Sequence, residues 1–459
     1  MRWLYALLLT LALVTPSWAA NHYIRDGGSG SLTGTGNCAD WSTANACDDF
    51  PATLVRGDTY YVADGTYTGR TFSTANSATL VITIKKATVA DHGTETGWVS
   101  TYGDGQAQFA GVIAYTSDYW VFDGQTRNES DWFDSAAYGF SVGTTTEVSQ
   151  ILIKDCGFTH RDITHRFVYV QGYTGALSPS VDIGAYAIQS NTTGCSDGQQ
   201  TNLTFHKILV RGAVNQFFMR NTTGAVVEYS AGELATGNSA NHGENVNLYY
   251  SAQNAIVRYN ILRNNYTTAC SDCGSTATIA YCCGSNGAEI YGNLIYNFRG
   301  GDGFVGWNSA GNNASNSKIY NNTLDRCTGD TAGGDGGINL PGGTNNLVYN
   351  NVWTNCANIN FAGVTHDYSA FPDANAHGEA NAVQNFATSN FVNYASKDFR
   401  LANATTAGFT LSAPYNTDLL GTTRAVDGTW DRGAYEFGLS FGRMRHSGPI
   451  RILGSVRTP

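Results

Sequence analysis

A chain of 459 residues with a formal net charge of -10 and only 14% charged residues departs from ordinary soluble domains, which carry roughly 25%. The acidic balance argues against nucleic acid as a partner, because a phosphate backbone rewards a basic face. Acidic polysaccharides stay open, since local basic residues or a bound cation offset their charge. With 42% hydrophobic and 12% aromatic residues, the chain is not a disordered polymer.

Residues 1–19 read as a secretory signal: Arg2 opens it, an apolar run covers residues 4–14, and the small residues Ser17 and Ala19 mark a cleavage site. The apolar run is too short to cross a bilayer, and no later segment reaches the roughly 18 apolar residues of a membrane helix. Cleavage after Ala19, export and no membrane insertion are therefore expected. Ten cysteines follow, an even number suited to disulfides in an oxidising compartment. Cys38 and Cys47 are placed to close an N-terminal loop. Cys270, Cys273, Cys282 and Cys283 crowd into one excursion, where a zinc site is the alternative to disulfides.

The abundance of Gly, Asn, Thr and Val suits short strands between tight turns, and a repeat appears. Residues 256–260, 289–293, 318–322 and 347–351 are short β-branched strands, each ending in an asparagine: Asn260, Asn293, Asn322 and Asn351, at intervals of 33, 29 and 29. Residues 80–85, 119–124, 151–155, 203–207 and 226–230 fit more loosely. No 3.6-residue period and no leucine spacing accompanies the repeat, which points to a β-solenoid whose coils each add a rung of roughly 4.8 Å. The asparagine column is expected to take the left-handed corner turn and to hydrogen-bond from rung to rung. Cys327 and Cys356, each five residues after its asparagine, then come within disulfide range.

The same register suggests a site. Glu244, Asp302 and Asp335 each precede a strand and are expected at equivalent corners. Such carboxylates suit Ca2+, or an acid–base pair for glycosidic cleavage; acids between glycines also form simple Asx turns. His242 is a further acid or base beside Glu244. Trp41, Trp98, Trp132, Trp307 and Trp353 are candidates for stacking on sugars. His160, Arg161, His165 and Arg166 form a candidate patch for uronate or sulfate groups. His366, Asp367, Asp373, His377 and Glu379 form a polar cluster able to take a cation.

These repeats, the opening segments 23–28 and 57–67 and the closing segments 398–401 and 431–437 resemble the pectate-lyase-like superfamily over residues 21–438. The resemblance implies an all-β fold, a right-handed single-stranded parallel β-helix, on which that superfamily carries many chemistries. Segment 244–260 is similar to the alginate-lyase and chondroitinase-B-like lyases, in which a calcium-binding glutamate precedes a lysine that abstracts the C5 proton. That implies Glu244 as the calcium ligand. Tyr249 stands where that family has its lysine, and Tyr281-Cys282-Cys283 where it has an arginine, so Tyr249 is the remaining acid or base candidate.

The expected organisation is a signal peptide over 1–19, a β-helix domain over 20–438 and a basic tail over 439–459. The expected function is secreted binding, and cleavage by a lyase or hydrolase, of an extracellular acidic polysaccharide. A non-catalytic adhesin, filament or scaffold subunit is the alternative.

Overall fold

The computed structural model describes residues 19–25, 37–143, 149–153, 159–172, 186–190, 200–235, 243–263, 277–298, 303–306, 313–327, 336–356 and 358–438. The signal segment, the basic tail, His242, Asp302, Asp335, Trp307, Cys270 and Cys273 lie outside the described residues.

Short β-branched strands leave each coil with three flat faces and three corners, and 29 described strands join one hydrogen-bonded stack. Every strand pairing within that stack is parallel; among the described residues, antiparallel pairing is confined to Phe391–Asn393 with Asp398–Leu401 and the single bridge Thr417–Thr423. The chain is a right-handed parallel β-helix. Sheet A includes Val226–Glu228, Ile256–Arg258, Glu289–Tyr291, Lys318–Tyr320 and Leu347–Tyr349. Sheet B includes Ala231–Glu233, Ile261–Arg263, Leu294–Phe298, Thr323–Cys327 and Val352–Thr354. Sheet C includes Tyr186–Gln189, Asn215–Arg220, Glu244–Tyr249, Ile279–Tyr281, Val305–Gly306 and Ile338–Asn339. Aliphatic side chains stack inward in single-type columns, such as Val227, Val257, Ile290, Ile319 and Val348, all buried. The segment 80–85 and residues 119–124, 203–207 and 226–230 contribute to sheet A as expected. Ile151–Ile153 does not: it pairs with Ile113 and Ile188 in sheet C, and the sheet A rung there is Ile163 to Arg166.

The asparagine ladder stands at the A–B corner and is fully buried. The Oδ1 of Asn293 accepts from the backbone N–H and the Nδ2 of Asn260, both at 3.0 Å. Asn322 serves Asn293 and Asn351 serves Asn322 in the same way at 2.9–3.0 Å. Each Nδ2 also donates to a carbonyl of the preceding coil, of Val227, Val257, Ile290 or Ile319, at 2.9–3.0 Å. Ser230 heads the column, its N–H donating to Asn260 Oδ1 at 2.9 Å.

The conformational reason expected for the ladder is displaced by one residue. The left-handed position belongs to the residue before the asparagine: Tyr229, Tyr259, Gly292, Asn321 and Asn350, with φ from 48° to 65°. The ladder asparagines are there for their amides, not their backbone freedom. Cys327 and Cys356 form the expected disulfide with Cα atoms 4.6 Å apart, and Cys38 and Cys47 form theirs at 4.9 Å.

Candidate functional site

The three outer faces of the coil differ in what covers them. Outside sheet B, Leu209, Ile261, Leu294 and Val352 are sealed in a second apolar cluster with Trp132, Phe133, Tyr138, Phe391, Phe399 and Tyr435. Its charges are neutralised in place: Arg211 and Arg263 clamp Glu233 at 2.5 and 2.7 Å, and Lys397 holds Asp325 at 3.2 Å. On sheet A, the C-terminal segment lays Tyr415 edge-on against Tyr291 and Tyr320, and Phe409 against Tyr349. On sheet C, the outward residues Gln189, Asn215, Phe218, Glu244 and Asn247 are buried, Tyr186, Arg220 and Tyr249 are half-buried, and Tyr250 is exposed.

Register defines that outward face. Ile188, Phe217, Val246, Ile279, Val305 and Ile338 occupy one inward column. The next residue along each strand points out: Gln189, Phe218, Asn247, Ala280, Gly306 and Asn339. Tyr186, Asn215 and Glu244 form a second outward row, and Arg220 and Tyr249 a third. The backbone N–H groups of Asn245 and Val246 both donate to the Thr278 carbonyl, at 3.1 and 3.2 Å. This local break in alternation leaves Glu244 and Asn247 on the same side although they are three residues apart.

Two chemistries share the face. Tyr186 stacks on Phe218 at 4.3 Å, Phe218 stands 6.3 Å from Tyr249, and Tyr249 meets Tyr250 at 3.9 Å. Beside this aromatic row, Asn247 Nδ2 donates to Asn215 Oδ1 at 2.8 Å. The Oδ1 of Asn247 is buried with no donor facing it, on a residue only 5% exposed. Glu244, at Asn215's register level, is 1% exposed. The Tyr249 hydroxyl is pushed well above the usual phenol range, first by burial and then by its hydrogen bond to Tyr250, with Arg220 opposing.

A resident cation is testable against these atoms. Among the described residues, no group of three or more His, Cys, Asp or Glu side chains converges on a point. Glu244 with the amide oxygens of Asn215 and Asn247 is nevertheless an oxygen-rich set with an acceptor left over, which fits a hard ion such as Ca2+. Counted back from the inward column, the residues level with Glu244 in later coils are Ala277, Gly303 and Gly336, and Asp302 and Asp335 stand one residue earlier in the chain.

Cys282 and Cys283 are bonded to each other, which removes both from any zinc set. The Cys282 N–H donates to the Leu248 carbonyl, so the pair sits one rung beyond Tyr249.

Three other expected clusters dissolve for reasons of register. Within Arg161–Gln171, His165 points inward, hydrogen-bonded to Tyr115 at 2.9 Å, and burial lowers its pKa to about 3. His160 is buried against Asp118, and Arg166 is held by Asp123 at 2.7 Å, so no basic patch forms. His366 and Ser369 converge on Glu379, whereas His377 pairs with Asp373 and Asp367 with Asn381. Trp41, Trp132 and Trp353 are buried packing residues, and Trp98 stacks on His92 at 4.0 Å. The outward aromatics are Tyr186, Phe218, Tyr249 and Tyr250, of which the sequence reading singled out only Tyr249. A signal for them exists: Tyr186, Asn215 and Glu244, like Gln189, Phe218 and Asn247, repeat every 29 residues.

No protein family and no curated protein sequence is matched by the chain. Among solved structures, pectate lyase Pel9A is similar over 92% of this chain and 97% of its own, at 14% identity and a TM-score of 0.42. The PL6 family alginate lyase AlyGC is similar over 69% of this chain and 49% of its own, at 13% identity and a TM-score of 0.33. The GH136 lacto-N-biosidase from Eubacterium ramulus is similar over 79% of this chain and 66% of its own, at 10% identity and a TM-score of 0.37. The chain thus spans about half the length of AlyGC. The fold assignment rests on the strand register of this chain itself.

Proposed function

We propose that this protein binds an extracellular polysaccharide along the outward face of sheet C. The observation that carries the reading is the pairing, on one face, of the Tyr186–Phe218–Tyr249–Tyr250 row with the Glu244–Asn215–Asn247 acceptors. Aromatic faces accept the C–H bonds of a pyranose ring, and the buried Asn247 Oδ1, which has no donor, rewards a hydroxyl group that supplies one. Rungs spaced roughly 4.8 Å apart offer this pairing repeatedly along a polymer laid on the solenoid axis. Disulfides and a leader-like N-terminus support an oxidising, extracellular location.

Cleavage of glycosidic bonds is the extension of this reading. Tyr249, a phenol on this face, is the candidate proton donor to a leaving oxygen. His242, Asp302 and Asp335 remain the candidates for base. Glu244, Asn215 and Asn247 would hold Ca2+, which supplies charge neutralisation to an acidic sugar when bound.

The test is a polysaccharide panel run on the purified full chain, scored by gel retardation, by ultraviolet absorbance of unsaturated product and by reducing ends. Retardation that weakens in Phe218→Ala and Glu244→Gln supports the site. Retardation by no polymer contradicts the reading and favours a rigid scaffold.

A further inference from the structure

One guanidinium on this face has, among the described residues, neither the carboxylate nor the backbone carbonyls that hold its counterparts elsewhere. Arg211 and Arg263 are clamped to Glu233, and Arg258 to Glu228 at 2.6 Å. Arg424 and Arg432 are buried but spend their N–H groups on backbone carbonyls. Arg220 has neither arrangement. It is half-buried, its Nε is buried with no hydrogen-bond partner, and no carboxylate lies within ion-pair distance among the described residues. Its one described contact through the guanidinium is with the Tyr250 ring, whose centroid is 4.5 Å from Cζ.

A half-desolvated cation with an idle N–H is costly unless something completes it. In a chain with a net charge of -10, carboxylates to pair it are not scarce, yet none of the described ones stands there. Its position is the third outward row, level with Tyr249 across one rung. A ring lying on Tyr249 would therefore bring its substituents to the guanidinium edge. A planar fork held flat by an aromatic ring matches a planar carboxylate in two parallel hydrogen bonds.

We infer that Arg220 is the specificity-determining residue of the sheet C face: it pairs with the carboxylate of a uronate unit whose sugar ring rests on the neighbouring aromatic row. This deepens the proposed function and rests on it. Stacking supplies affinity for any pyranose, and Arg220 supplies the preference for an acidic one. The pairing is partly exposed, so it weakens as salt rises, while the stacking does not.

The experiment compares retardation by polyuronides with retardation by the same polymers after carboxyl reduction. Wild type, Arg220→Gln, Arg220→Lys, Phe218→Ala and the exposed control Arg326→Gln are run at low and high salt, with thermal melts confirming folding. Expected are roughly 10- to 100-fold weaker polyuronide binding by R220Q, an intermediate loss in R220K, no change in R326Q, and wild-type binding that drops on carboxyl reduction. Equal binding of native and reduced polymers by wild type overturns the Arg220 inference but, if F218A still loses binding, leaves the site reading intact. Unchanged R220Q does the same. F218A binding like wild type overturns the site reading itself. A sulfated polymer preferred over every polyuronide, with R220Q losing it, overturns the assignment of carboxylate as the group read.

Discussion

The A–B corner and the outward face of sheet C use the same side chain to opposite ends. In the ladder, Asn260, Asn293 and Asn322 are fully buried, and each amide oxygen and nitrogen has a partner at 2.9–3.0 Å. On sheet C, Asn247 is almost as deeply buried, yet its oxygen faces no donor. A closed amide network adds stability and fixes register; an amide left one bond short holds a position ready for something that is not part of the chain. The contrast separates the residues that make the solenoid from those that equip it.

The largest expected effect breaks the corner. Asn293→Ala removes the acceptor for both Asn260 donors and the donor for the Val257 carbonyl. With buried groups left unpaired, a loss of roughly 3–5 kcal/mol is expected in chemical denaturation. Asn247→Ala leaves one described partner, Asn215, and is expected to cost about 1 kcal/mol while weakening polysaccharide retardation. Equal destabilisation by the two variants would erase the distinction between the regions.

Opening the Cys327–Cys356 bond by a double Cys→Ala change is expected to cost about 3 kcal/mol, since it closes a loop with a separation of 29 residues. Because solenoid coils stabilise their neighbours, the loss should be concentrated in the last coils, and hydrogen exchange reads it there. Phe218→Ala is expected to weaken polymer binding about tenfold and also to lower the melting temperature, because Phe218 is buried between Tyr186 and Tyr249.

The C-terminal segment that covers sheet A should respond to pH. Glu436, in the C-terminal segment, has its pKa raised to about 7, chiefly by burial, with the Ala425 N–H and Arg424 opposing. The folded state therefore holds a proton that the unfolded chain, titrating near 4.5, gives up. Stability from this group is present below that unfolded value and is lost as pH rises toward 7. Glu436→Gln should flatten this slope in melts taken across the window; a slope that persists assigns it elsewhere.

Much of the fold was legible because a solenoid writes its register into the chain. The repeat of Asn260, Asn293, Asn322 and Asn351 at intervals of 33, 29 and 29 located sheet A, and the 29-residue offset placed Cys327 beside Cys356. The site was harder to read for two physical reasons. Side-chain direction on sheet C depends on a local break at Asn245 and Val246 that spacing does not reveal, so Glu244 and Tyr249 were visible while Phe218 and Arg220 were not. Aromatic content alone also misleads: most tyrosines of sheet A, such as Tyr259, Tyr291 and Tyr320, seal the C-terminal segment onto the coil. Inward and outward neighbours alternate, which split the expected basic patch into His165 inside and Arg166 paired outside.

The most direct test of the central claim is affinity gel electrophoresis of wild type and Phe218→Ala against a panel of neutral and acidic polysaccharides, with melts alongside. Retardation of wild type by at least one polymer, lost in F218A that still melts cooperatively from a folded state at the gel temperature, is the expected result. Equal migration of the two proteins in every gel would contradict a binding face on sheet C.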